Sequence, residues 1–240
     1  MMISREGKIM RLILLISAGL LTLCSCAEKT HTIVVLGDSR ATGFYVDETG
    51  MSRHGYGWPE QLAIKLGSGW SVDNRAVDGS NITLALNWLK KNPNAKPDIL
   101  TLQFGWNEMA QMRIGDYPKM SLDDYRAALV RVREWCDKRG VRLIVIDAVA
   151  PAYYEGHPNA TKIANVFGLH TGNDVIEKLN DLSSVTRDEM SPYLVKTGLT
   201  AECYNPADFV HPNLEGHKRI EAAVERALFG TQPKSQMAAR

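Results

Sequence analysis

Three residues of this chain, Ser39, Asp208 and His211, are of the types that together turn a hydroxyl into a nucleophile. A serine hydroxyl attacks poorly until a base takes its proton, and the negative charge that then develops needs hydrogen-bond donors. Ser39 closes the stretch Ile33-Val-Val-Leu-Gly-Asp-Ser39, a branched apolar run that breaks into a polar turn. The pattern reads as a buried strand with the serine just past its carboxyl end, where an open parallel sheet leaves backbone N–H groups unpaired. Asp208 and His211 stand three residues apart in Asp208-Phe-Val-His211-Pro212. Pro212 biases His211 away from helical geometry and suits the first position of a helix carrying Leu214, Ile220, Val224 and Leu228. From that turn Asp208 can accept the Nδ1–H of His211, leaving Nε2 to face a serine.

Two further stretches offer donors. Gly79 follows a second apolar run and precedes a helical pattern, so its N–H is open to approach. Asn107 in Gly105-Trp106-Asn107 follows a third run and can present a side-chain amide to the same crevice. Gly79 also suits a plain turn, and Asn107 a cap on its own loop.

These residues need a scaffold that brings strand ends together. Strand-like runs fall at 33–37, 70–75, 98–104, 141–147 and, less clearly, 192–196, with helix-like segments at 58–66, 80–91 and 122–139. Gly140 ends the last of these as a C′ glycine would. Such alternation implies an α/β fold, a three-layer α/β/α sandwich on a mostly parallel sheet with right-handed crossovers. The connections 106–121 and 148–173 are longer than packing needs and would roof the site above Ser39. Trp106, Met109, Met112 and Phe167, which lie in them, are candidates to line a pocket there or to serve as ordinary packing.

Taken together, the blocks resemble the SGNH or GDSL hydrolases. Gly37-Asp38-Ser39 with Gly43, then Gly79, then Gly105-Trp106-Asn107, then Asp208 and His211 occur in family order and span nearly the whole chain after residue 32. Gly55-Tyr-Gly-Trp-Pro59 looks most like the small single-domain esterase, thioesterase and lysophospholipase branch. The resemblance implies a five-stranded, flavodoxin-like sheet over 33–230 and ester hydrolysis through an acyl-enzyme, with no metal or organic cofactor. It assigns Ser39 as nucleophile, His211 as base and Asp208 as its orienter. The Ser39 and Gly79 N–H groups and the Asn107 amide become the oxyanion donors. Two positions depart from the family: Arg40 stands where it has leucine, and Glu108 where aspartate commonly follows the asparagine. Arg40, beside the nucleophile, is expected either to favour an anionic or polar substrate or to point to solvent. Phe209 and Val210, between base and orienter, join Arg40, Trp106 and Met109 as substrate-binding candidates. An acyltransferase passing the acyl group to a sugar hydroxyl, and a binding lipoprotein without activity, are the rival readings.

The remaining features bound location and partners. Arg5, Lys8 and Arg11 precede a dozen apolar or small residues, too short for the ~20 of a spanning helix, which run into Leu23-Cys-Ser-Cys26. This resembles a bacterial lipoprotein signal over 1–25, with Cys26 as the lipidated residue, a tether over 26–32 and export to a bacterial cell envelope as the consequence. An ordinary secreted protein cut nearby, or an uncleaved anchor, fits the same stretch. Residues 231–240 read as a frayed tail. With 28 Lys plus Arg against 27 Asp plus Glu, the net charge of +1 gives no footprint for nucleic acid. An uncharged or mildly charged partner fits better, and the resemblance implies a small-molecule, lipid or polysaccharide acyl ester. Cys136 and Cys203 are open to pairing or to remaining separate thiols, the second being preferred, and no Cys/His cluster has metal-ligand spacing.

Overall fold

Five strands form one parallel sheet: β1 (His31–Gly37), β2 (Trp70–Asn74), β3 (Ile99–Gln103), β4 (Arg142–Ile146) and β5 (Leu194–Val195), in the order β2-β1-β3-β4-β5. This is the flavodoxin-like order expected of the chain, with its topological switch where β1 lies between β2 and β3. The structure is a computed structural model that describes residues 30–47, 49, 51–110, 117–147, 160–206 and 208–230. The expected leader, Cys26 and the 231–240 tail lie outside the described residues, as does Met112.

The central strands are apolar on both faces because helices cover both. Side chains alternate across a strand, and the alternation divides the core in two. Val34, Leu36, Leu100, Leu102, Leu143 and Val145 pack with helices α2 (Thr83–Lys91), α3 (Leu122–Arg139), α4 (Ala160–Val166) and α5 (Gly172–Met190). Ile33, Val35, Ile99, Ile144 and Ile146 pack with α1 (Trp58–Leu66) and α6 (Leu214–Phe229). The three layers follow from that division.

Three expectations shift. The stretch 148–173 is not connection throughout: it holds α4, and at Gly172 the 19-residue α5 begins. Thr171 caps α5 by accepting from the Asp174 N–H, while the Asp174 side chain reaches back to the Thr171 N–H. The segment 80–91 is helical only from Thr83, because the buried Ser80 gives its hydroxyl to the Gly37 carbonyl at 2.9 Å and holds its loop against the sheet. The fifth strand shortens to Leu194–Val195, since Ser191–Tyr193 with Pro192 form a 3₁₀ turn. Cys136 and Cys203 are both buried free thiols, and burial pushes Cys136 up to about 12.

The contact between α1 and α6 carries a titrating group. His217 is buried, and its Nδ1 accepts the Trp58 N–H at 3.3 Å. Burial, with the neighbouring His211 charge, pushes it down to about 4 from 6.5. Between those values the unfolded chain binds the proton that the native chain refuses, so stability rises with pH. The contribution is complete above about 6.5 and lost as pH falls to about 4, and is worth on the order of 3 kcal/mol. Urea midpoints at pH 4.5 and 7 are expected to differ less in His217→Gln, which keeps an acceptor and does not titrate. An equal drop in both proteins would assign the acid sensitivity elsewhere.

Candidate active site

The site is assembled where β1, β2 and β3 end. Gly37, the last residue of β1, must be glycine: a Cβ there would lie 2.6 Å from the Ala41 side chain and 3.0 Å from the Gln103 carbonyl oxygen. The close approach lets the chain turn at once. The Asp38 N–H donates to the Gln103 carbonyl at 3.1 Å, and the Asp38 carbonyl accepts from Ala41 at 2.9 Å and Thr42 at 3.2 Å. Ser39 therefore sits at the start of a helical turn over the sheet edge.

Its hydroxyl meets an imidazole from the far end of the chain. Ser39 Oγ lies 2.8 Å from His211 Nε2, and His211 Nδ1 lies 2.9 Å from Asp208 Oδ2. The other carboxylate oxygen, Asp208 Oδ1, accepts the N–H groups of Val210 at 2.9 Å and His211 at 3.0 Å. Burial opposes the Asp208 charge, but the His211 ring and those backbone donors outweigh it and hold the carboxyl below its ordinary value. The loop that carries the pair is fixed at both ends: Asn205 N–H donates to the His211 carbonyl at 2.8 Å, and Asn213 N–H to the Cys203 carbonyl at 2.9 Å.

The helix after it starts later than Pro212 suggests. Asn213 is the N-cap of α6, its side-chain oxygen accepting the Gly216 N–H at 3.0 Å, while Pro212 forms an antiparallel bridge with Tyr204. A side-chain cap satisfies an orphan donor that proline cannot, so the boundary falls there.

Gly79 lies in the loop after β2 with φ of 68°, a left-handed value that favours glycine. That loop is tied to β1, for the Val77 N–H and the Ser80 hydroxyl both donate to the Gly37 carbonyl, at 3.0 and 2.9 Å. Neither the Ser39 nor the Gly79 N–H donates to any described residue. Asn107 opens a 3₁₀ turn after β3 (Asn107–Met109), and its Nδ2 donates one hydrogen to the Ser80 carbonyl at 2.7 Å, which leaves the second.

The substrate candidates are placed differently. Arg40 is buried, 4% exposed, because its guanidinium grips Asp38 with Nη2 to Oδ2 at 2.9 Å and Nε to Oδ1 at 3.2 Å, over the Trp106 ring. It neither points to solvent nor offers its charge to a ligand. Trp106 and Met109, each 1% exposed, belong to the core against Phe167 and α3 rather than to an open pocket. Phe209 and Val210 are half-buried and pack on the same core. Sequence reasoning passed over Phe44, whose ring lies 4.5 Å from that of His211 and covers it. No spacing rule pairs those two residues, although Phe44 directly follows the glycine that ends the Ser39 turn.

Two comparisons with known proteins bear on this arrangement. The model of the GDSL-like lipase/acylhydrolase family matches residues 35–219. Among solved structures, the lipase/acylhydrolase from Enterococcus faecalis is similar at TM-score 0.59 and 17% identity, over 85% of this chain and 99% of that one. The aryl esterase of M. smegmatis is similar at TM-score 0.60 and 14% identity, over 83% and 98%. A carbohydrate acetylesterase family member from Sinorhizobium meliloti is similar at TM-score 0.60 and 18% identity, over 84% and 100%. At these identities the likeness is one of fold. Comparison with curated proteins finds no match.

Proposed function

The chain belongs to the GDSL-like lipase/acylhydrolase family and is a carboxylic ester hydrolase, and on that premise we propose that it cleaves acetyl or other short acyl esters through an acyl-enzyme on Ser39. The observation that carries the mechanism is the continuous line from Ser39 Oγ through His211 to Asp208, with contacts of 2.8 and 2.9 Å. His211 Nε2 takes the hydroxyl proton as Ser39 Oγ bonds to the ester carbonyl carbon. The Ser39 and Gly79 N–H groups and the second Asn107 amide hydrogen receive the oxyanion. Collapse of the tetrahedral species breaks the bond to the leaving alcohol, which takes the proton from His211. Water, deprotonated by the same imidazole, then attacks the acyl-serine and releases the acid.

A short acyl group is supported by what surrounds the site. Among the described residues, Trp106, Met109 and Phe167 are buried in the core, and none of the three stands open to a long chain. The Leu23-Cys-Ser-Cys26 signal supports action at a bacterial cell envelope, with the enzyme held through lipid on Cys26.

Peptide mapping after exposure to a fluorophosphonate tests the acyl-enzyme mechanism and the lipid anchor without a guess at substrate. One adduct per chain is expected on Ser39, and none in His211→Ala. A folded protein that takes no adduct at Ser39 would overturn the acyl-enzyme mechanism. On protein extracted from membranes, the same map is expected to find a diacylglyceryl mass at Cys26, and an unlipidated N-terminus would remove the anchor.

A further inference from the structure

We propose that Glu108 is a positioning residue for the oxyanion site, a single carboxylate that holds together the two loops carrying Gly79 and Asn107. The proposal rests on the oxyanion assignment above. Glu108 follows Asn107 in the 3₁₀ turn after β3, and its side chain is buried. Its Oε1 accepts the Ile82 N–H at 2.7 Å, and its Oε2 accepts the Gly105 N–H at 2.7 Å. Ile82 ends the loop of Gly79 and Ser80 and is the N-cap residue of α2, while Gly105 begins the loop of Asn107. Both carboxylate oxygens are thus used, one on each loop. The bond from Asn107 Nδ2 to the Ser80 carbonyl joins the same two loops at a second point. With both in place, Asn107 has one amide hydrogen committed and the other aimed by that commitment.

A buried charge is retained at a cost only where it is paired or hydrogen-bonded. Burial, with the nearby Asp38 charge, pushes Glu108 up to about 7, while the backbone donors act the other way. The groups that face it are Asp38, Arg40, whose guanidinium is already taken by Asp38, and Tyr125. An apolar residue would fill the space without that penalty, and would leave the Ile82 and Gly105 N–H groups unpaired. An aspartate on this turn is one methylene shorter, so from the same backbone its oxygens would fall short of at least one of the two 2.7 Å contacts.

Glutamine keeps the shape of Glu108 but puts an NH₂ against one of the two N–H donors, so one loop is released. A double-mutant cycle with Asn107 separates positioning from bulk stability. Asn107→Ala alone is expected to lower kcat ~10²–10³-fold, as loss of an oxyanion donor does. Glu108→Gln alone is expected to lower kcat up to ~10²-fold through misplacement of Asn107, with KM within about 3-fold. In the Asn107→Ala background the same substitution should cost several-fold less than in the wild type, because one of the two donors it holds is gone and only Gly79 remains to be misplaced. Should Glu108→Gln unfold, Glu108→Asp, which keeps the charge and loses the reach, runs the same cycle. Equal losses in both backgrounds, wild-type kcat in a folded variant, or failure of both variants to fold would overturn the proposal and reduce Glu108 to a stabilising residue. If Asn107→Ala itself leaves kcat unchanged, the oxyanion assignment falls instead.

Discussion

Ser39→Ala is expected to lower kcat by a factor on the order of 10⁶, and His211→Ala by nearly as much, with the double variant little worse than either. The near-identity of the three losses is the informative part. Ser39 Oγ and His211 Nε2 share one proton across 2.8 Å, so removing either leaves the other without a task. An imidazole with no hydroxyl to deprotonate contributes little, and a hydroxyl with no base stays protonated at neutral pH. What remains should be a residual rate ~10³–10⁴-fold above that in water, supplied by the N–H donors and by binding, which neither substitution touches. Hydrolysis of a nitrophenyl acetate reads this directly, provided that each variant retains the wild-type unfolding midpoint. Alanine removes one oxygen from a half-buried turn residue whose backbone bonds do not use it, so the fold should be unaffected. If the losses of the single variants multiply in the double variant, the two residues act independently and do not form a nucleophile and base.

How much of this was legible beforehand depends on whether a feature is local. The five strands of the sheet stand at the expected positions because both faces are covered, and unbroken apolar runs such as Ile33 to Leu36 are hard to mistake. The meeting of Ser39, Asp208 and His211 follows from strand ends and one short turn, each visible as a pattern. Helix α5 is marked by the Thr171 to Asp174 capping spacing and by Val175, Leu179 and Leu182 on one face, a pattern that the reading of 148–173 as a connection stopped short of. Arg40 was misplaced for a physical reason: a lone arginine is usually exposed, and only the tight turn after Gly37 brings its Nε and Nη2 onto the carboxylate two residues earlier. Glu108 and Phe44 lay beyond reach in another way. The Ile82 N–H that Glu108 accepts and the His211 ring that Phe44 meets are 26 and 167 residues away, and no local spacing pairs either, whereas the Gly105 N–H is only three residues from Glu108.

Asp208→Asn should cost up to ~10⁴-fold in kcat, and the geometry says why so small a change costs so much. The carboxylate has two duties on two different oxygens. Oδ1 accepts the Val210 and His211 N–H groups, at 2.9 and 3.0 Å, whereas Oδ2 accepts from the ring at Nδ1. An asparagine has one oxygen, and two backbone donors compete for it against one ring nitrogen. The oxygen goes to the backbone pair, because placing the NH₂ there would set a donor against two donors. The NH₂ is then left facing His211 Nδ1 and must donate to it. The imidazole answers by carrying its proton on Nε2, pointing it at Ser39 Oγ, and a nitrogen that already holds a proton cannot take one. Asp208→Asn is therefore expected to retain the fold and the Ser39–His211 contact while losing turnover and fluorophosphonate labelling together. Nitrogen chemical shifts of the His211 ring measure the cause: Nδ1–H in the wild type and Nε2–H in the variant. A variant that keeps the Nδ1–H tautomer and still loses activity would trace the effect to the missing charge rather than to the misplaced proton, and one within about 10-fold of wild-type kcat would remove Asp208 from the mechanism.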